Sequence, residues 1–98
     1  MKGRILEAVR IEIAKAAEYY GLESPQLAED LKREAYRGVR RVFESPFMWP
    51  KVGQRHRRYR IEKFKYGIVY RVDQAADEIV IVAFMHLHRR PGYWRGRK

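Results

Sequence analysis

Cysteine is absent from the 98 residues. Disulfide frameworks, thiolate catalysis and cysteine-ligated metals are thereby excluded. No apolar run approaches the roughly 18 residues of a membrane-spanning helix, and no N-terminal stretch has the apolar region of a secretory signal. A cytoplasmic protein without membrane contact is the expectation. Glycine-rich phosphate loops and nucleophile elbows are also missing. The only two serines, Ser24 and Ser45, flank a helical pattern, where a cap and a terminator are the simpler reading. The chain shows no repeats and no low-complexity segment, and at this length it has room for one domain spanning residues 1–98.

Acidic residues are scarce in one half only. Residues 1–44 carry 9 Lys/Arg against 8 Asp/Glu, whereas residues 45–98 carry 13 against 4. Nearly all of the net charge of +10 therefore lies in the second half. Segregated charge creates a directional field that steers anionic partners. With 46% hydrophobic residues and 13% aromatics, the chain also has the apolar material of a folded domain.

The first 44 residues read as two helices. Leu6, Val9, Ile13, Ala16, Ala17 and Tyr20 follow the 3.6-residue period from about Arg4 to Tyr20, with Ile11 opposite the stripe and Gly21 as terminator. Ser24-Pro25 opens a second helix whose stripe is Leu27, Leu31, Ala35, Gly38 and Val42, and Ser45-Pro46 closes it. Gly38 costs helix propensity of about 1 kcal/mol relative to alanine, which close approach of a neighbouring element would explain.

After Pro50 the period falls to 2. Arg58–Glu62 and Ile68–Val72 alternate as half-buried strands, and the apolar run Ile79–Met85 reads as a strand covered on both faces. Short connections make these an antiparallel meander. The expected fold is α+β, with an N-terminal antiparallel helical hairpin packed on a small antiparallel meander.

Two histidines, His86 and His88, have a chelating spacing, but no third ligand lies nearby and five cations follow, so no metal or other cofactor is expected. The stronger constellation is basic and aromatic. Arg55, Arg57, Arg58 and Arg60 open the meander, Arg71 lies on its second strand, and His88, Arg89, Arg90, Tyr93, Trp94 and Arg95 follow its last. The end of the third strand is expected near the start of the first, which would bring these segments to one edge. Guanidinium forks suit phosphate or carboxylate, and Tyr and Trp suit stacking or an interface pocket. The alternative for Tyr93 or Trp94 is that one of them folds back and staples the tail to the sheet.

The segments Ala16-Ala17-Glu18-Tyr19-Tyr20, Phe64–Val72 and His88-Arg89-Arg90-Pro91-Gly92-Tyr93-Trp94 together resemble the RelE/ParE superfamily of type II toxins, the plasmid-stabilisation type, with the ending closer to the ParE side. The resemblance covers nearly the whole chain in order. It implies a short strand before the first helix, and the early helical pattern leaves that strand short or missing here. It also implies neutralisation by a cognate antitoxin with an acidic, partly disordered segment, contact with promoter DNA only through that antitoxin, and growth inhibition by binding DNA gyrase.

A ribosome-dependent mRNA endonuclease is the alternative, with Arg60 and Arg71 stabilising charge and His88 or Tyr93 exchanging protons. Against it, the nuclease branch places an arginine where this chain has Gly67, and no carboxylate base is evident. A general RNA-binding module is a further alternative. Arg58 and Arg60 changed to glutamate are expected to weaken the antitoxin complex.

Overall fold

A computed structural model describes all residues, Met1–Lys98. The chain opens with strand β1 (Lys2–Ile5), helix α1 (Glu7–Gly21) and helix α2 (Pro25–Glu44). Four strands follow: β2 (Lys51–Val52), β3 (His56–Ile61), β4 (Tyr66–Asp73) and β5 (Glu78–His86). They form one mixed sheet in the order β1-β5-β4-β3-β2. β1 runs parallel to β5, and every other pair is antiparallel. This is the α+β architecture expected, two helices on a small sheet.

Two strands were not legible in the periodicity. β1 is present and four residues long, so α1 begins at Glu7 and not near Arg4. Leu6 bridges the two, its N–H donating to the Ile81 carbonyl before the helix starts. Because Leu6 sits on the same period as Val9 and Ile13, the helical pattern runs backwards onto a residue that is extended. β2 adds a two-residue edge strand beyond β3.

The start of α2 is as the sequence dictates. Ser24 Oγ accepts from the Gln26 N–H at 3.2 Å and Pro25 occupies the first helical position. Its buried stripe is Leu31, Ala35, Gly38, Val39 and Val42. A Cβ at Gly38 would meet Ile68 Cδ1 at 2.7 Å and Tyr59 Cε1 at 2.9 Å. The glycine therefore allows α2 to lie directly against β3 and β4, which offsets its poor propensity.

The sheet separates two apolar clusters. On the helix side, Val9, Ile13, Leu31, Val42, Ile68, Tyr70, Ile79 and Ile81 form the main core. On the opposite side, Val69, Val80, Val82, Ala83 and Met85 are covered by Trp94 from the C-terminal tail. β5 is thus covered on both faces, as its unbroken apolar run predicts. A register irregularity lies between Val69 and Tyr70 opposite Val82, which lets Val82 and Ala83 share the tail side.

Candidate functional site: a basic groove beneath the tail

β3 and β5 both pair antiparallel with β4, so they run parallel to each other, and the end of β5 lies near the end of β3. Tyr66 pairs with both Ile61 and His86. The expectation that the end of the third strand meets the start of the first is therefore corrected. The tail still reaches Arg55 and His56, but by another route. After His86 it turns and runs back across the open face of the sheet.

Side chains hold it there. Trp94 is only 2% exposed, packs at a tilt of 60° against His56 with ring centroids 4.5 Å apart, and directs its Nε1–H at Met85 Sδ at 3.2 Å. Gly92 has φ +97°, a left-handed conformation that supports the turn preceding Trp94. Trp94 is thus the staple anticipated as the alternative, and its indole is withdrawn from any docking surface of this fold.

A second anchor centres on Glu12. β1 pairs only as far as Ile5 opposite Ile81, which leaves the later edge of β5 without a strand partner. Side chains take the place of the missing backbone. Glu12 Oε1 accepts from the Phe84 N–H at 3.0 Å, and Arg97 Nη1 donates to the Val82 carbonyl at 2.9 Å. Arg97 also pairs with both Glu12 oxygens, at 3.1 and 3.0 Å. The Tyr93 hydroxyl donates to Glu12 Oε2 at 3.2 Å, and the guanidinium groups of Arg89 and Arg97 lie over its ring, 3.8 and 5.1 Å from the centroid. Burial, with the Glu12 charge adding to it, pushes the Tyr93 hydroxyl up to about 12. Glu12 carries no sequence signal for this role, since it lies off the apolar stripe of α1.

Between the returning tail and the start of β3 lies an open groove of about 710 Å³. Lys51, Arg55, Arg57, Arg71, Arg95, Arg97 and Lys98 line it, against the single carboxylate of Asp73. Some of these cations have fixed partners. Arg57 donates to the Trp49 carbonyl at 2.8 Å and lies over the Phe47 ring, and Arg97 is held by Glu12. Arg71 has only a long contact of 3.4 Å to the main-chain oxygen of Lys98. Of the arginines in the groove, only Arg97 forms an ion pair, and Arg55, Arg71 and Arg95 have no side-chain carboxylate partner.

His56 sits in this field at 7% exposure, its Nε2 enclosed and without a hydrogen-bond partner. Burial, reinforced by Arg71, Arg95 and Arg55, holds its pKa below the usual imidazole value. The ring is therefore neutral near pH 7. Sequence reasoning passed over it as one more basic residue in the Arg55–Arg60 run.

The remaining nominated residues fall elsewhere. Arg58 shares the tail side of β3 with His56, but its stem lies over Gly67, where a Cβ would meet Arg58 Cδ at 2.9 Å. Arg60 is exposed and pairs with Glu62 at 3.3 Å. His88, Arg89 and Arg90 are exposed just past the end of β5, by Tyr66 and the end of β3, away from the groove. The single basic edge expected from sequence is thus two separate places: a groove at one end of the sheet and a smaller cluster at the other.

No helix is long and apolar enough to cross a membrane. No curated protein matches the chain. Among solved structures, a chain of the chromosomal ParDE toxin–antitoxin system from P. aeruginosa superposes with a TM-score of 0.79 at 14% identity, covering 90% of this chain and 97% of that one. At that identity the likeness concerns the fold. The sequence itself matches the family model described as the ParE toxin of the type II toxin–antitoxin system, parDE, over residues 4–91. With nearly the whole chain matched in sequence and the fold shared, this protein belongs to the ParE toxin family of type II toxin–antitoxin systems.

Proposed function

We propose that this chain inhibits growth by binding its target, with DNA gyrase as that target, and that a cognate antitoxin neutralises it in the cytoplasm by laying an acidic segment along the basic groove. One observation carries the preference for binding over RNA cleavage: the groups needed for proton transfer are dispersed. In-line cleavage requires a base, an acid and a cation within hydrogen-bond reach of one phosphate. The uncompensated arginines Arg55, Arg71 and Arg95 are in the groove, whereas His88 lies past the far end of β5 and the Tyr93 hydroxyl is committed to Glu12. His56 is near those arginines, but its Nε2 is enclosed. Gly67, over which the Arg58 stem lies, supplies no cation where the nuclease branch has an arginine.

The antitoxin assignment rests on the groove's charge and on the ParDE pairing of the structural relative. An acidic segment that orders on binding gains from such a field in both rate and specificity. The test of target is a supercoiling assay with purified gyrase. Dose-dependent inhibition is expected, and unaffected supercoiling at excess toxin contradicts the reading. Primer extension on translated messages provides the complementary check, with no codon-positioned cuts expected on induction.

A further inference from the structure

We propose that the groove between the start of β3 and the returning tail is a binding site for a compact polyphosphate, such as the triphosphate chain of a nucleoside triphosphate. It is the groove that the proposed function gives to the antitoxin, but the inference stands on the groove's own charge and not on the toxin reading.

The first ground is the convergence of uncompensated charge. Arg55 comes from the turn before β3, Arg71 from β4 and Arg95 from the tail, and all three depress the same imidazole, that of His56. None has a side-chain carboxylate partner, and what sets them apart from the other unpaired arginines of the surface is that they line one groove. Like charges drawn together repel, and an anion among them relieves that repulsion while accepting bidentate hydrogen bonds. The site rests on a packed floor, because Trp94 and His56 are both buried and their rings are in contact. The arginines are therefore presented by an anchored scaffold.

The second ground is the match of size and charge density. A groove of about 710 Å³ lies within the roughly 300–1,000 Å³ typical of small-ligand sites. Seven cationic side chains line it beside the one acidic side chain of Asp73, and five of them, Lys51, Arg55, Arg71, Arg95 and Lys98, are not held by Glu12 or by the Phe47–Trp49 turn. A triphosphate concentrates roughly three to four negative charges on one short chain. A nucleic-acid strand brings one charge per phosphodiester, and these are spread along its length. Acidic peptides spread theirs over flexible side chains. The compact ligand satisfies the cluster at one place, and the half-exposed ring of Phe47 at the rim offers a flat surface for a base.

The experiment is titration calorimetry of the full chain, without antitoxin, against ATP, inorganic tripolyphosphate, a single-stranded oligonucleotide and hexaglutamate at one low salt concentration. ATP and tripolyphosphate are expected to bind at one per chain, each at least tenfold more tightly than the other two probes. Arg55→Gln and Arg95→Gln, which remove no ion pair and leave the fold intact by circular dichroism, should each weaken both phosphates on the order of tenfold. Lys15→Gln on the exposed side of α1 should change neither, and Phe47→Ala should weaken ATP alone. Absence of tripolyphosphate binding, tighter binding of the oligonucleotide or peptide, or indifference to Arg55→Gln and Arg95→Gln would overturn the proposal. Each of these results is independent of whether the antitoxin is captured or gyrase is inhibited.

Discussion

Replacing Glu12 by alanine should release the tail and cost about 2–4 kcal/mol of stability. The carboxylate is 16% exposed and its partner Arg97 27%, so solvent screens the pair only partly. Three interactions disappear together. The Phe84 N–H loses its acceptor, and an unsatisfied buried backbone donor costs about 1–3 kcal/mol. The Arg97 guanidinium loses both carboxylate oxygens and keeps only the Val82 carbonyl. The Tyr93 hydroxyl is left half-buried without its acceptor. Entry of water along the β5 edge recovers part of this loss, which places the net effect below the simple sum. Glu12→Gln retains an acceptor for Phe84 and should lose about half as much. Urea denaturation at pH 7, read by tryptophan fluorescence, measures both variants as a shift in midpoint at constant slope. A red-shifted native spectrum from Trp94 and faster tryptic cleavage after Arg89 should accompany Glu12→Ala. A loss below about 0.5 kcal/mol with an unchanged native spectrum would refute the clasp, because ordinary surface substitutions stay within that range. A double-mutant cycle with Arg97→Ala isolates the pair itself, with a coupling of at least about 1 kcal/mol expected.

Gly38→Ala should destabilise by up to about 2 kcal/mol in the same assay, since overpacking against the fully buried Ile68 outweighs the gain in helix propensity of about 1 kcal/mol. His56 confers an acid dependence. Its folded pKa is depressed, so its contribution is fully present above the unfolded value near 6.5 and is lost as pH falls through the folded value. His56→Phe should flatten the stability profile below pH 6.5, as read by thermal unfolding across pH. Tyr70 is wholly buried, donates to the Pro46 carbonyl at 2.7 Å and has its hydroxyl pushed up to about 12 by burial. Its raised value means stability that holds below pH 10 and falls between pH 10 and 12, and Tyr70→Phe should remove that component. For antitoxin capture, Arg55→Glu with Arg71→Glu should weaken affinity at least tenfold more than Arg58→Glu with Arg60→Glu, as measured by surface plasmon resonance.

The two helices and three longer strands were legible because each has one dominant signal: a 3.6-residue stripe, a cap such as Ser24-Pro25, or an alternation bounded by turns. β1 was obscured because Leu6 continues the helical period of Val9 and Ile13 backwards, and Gly3 looks like a poor strand residue. Its place is set by tertiary contact, since a Cβ there would meet the Phe43 ring at 2.7 Å. Of the groove, the charge segregation pointed to the half of the chain that lines it, and Arg55, Arg57, Arg71 and Arg95 do meet there. The path that joins them was not readable. It depends on a tail turned back by Gly92, inserted by Trp94 and tethered by Glu12 from a helix more than 70 residues earlier in the chain. Side-chain contacts of that separation leave no periodicity to find.

The Glu12–Arg97 clasp also bears on how this chain exists at high concentration. An unpaired strand edge offers a row of donors and acceptors to any other chain, and sheets left open in this way grow by edge-to-edge addition. Because β1 stops at Ile5, half of the β5 edge would be such a template, backed by the apolar residues Val82, Ala83 and Met85. A carboxylate on one edge donor and a guanidinium on one edge acceptor occupy the groups an incoming strand would use. The short first strand is thereby made compatible with a free monomer, and loss of the clasp exposes an aggregation-prone edge as well as a weaker fold.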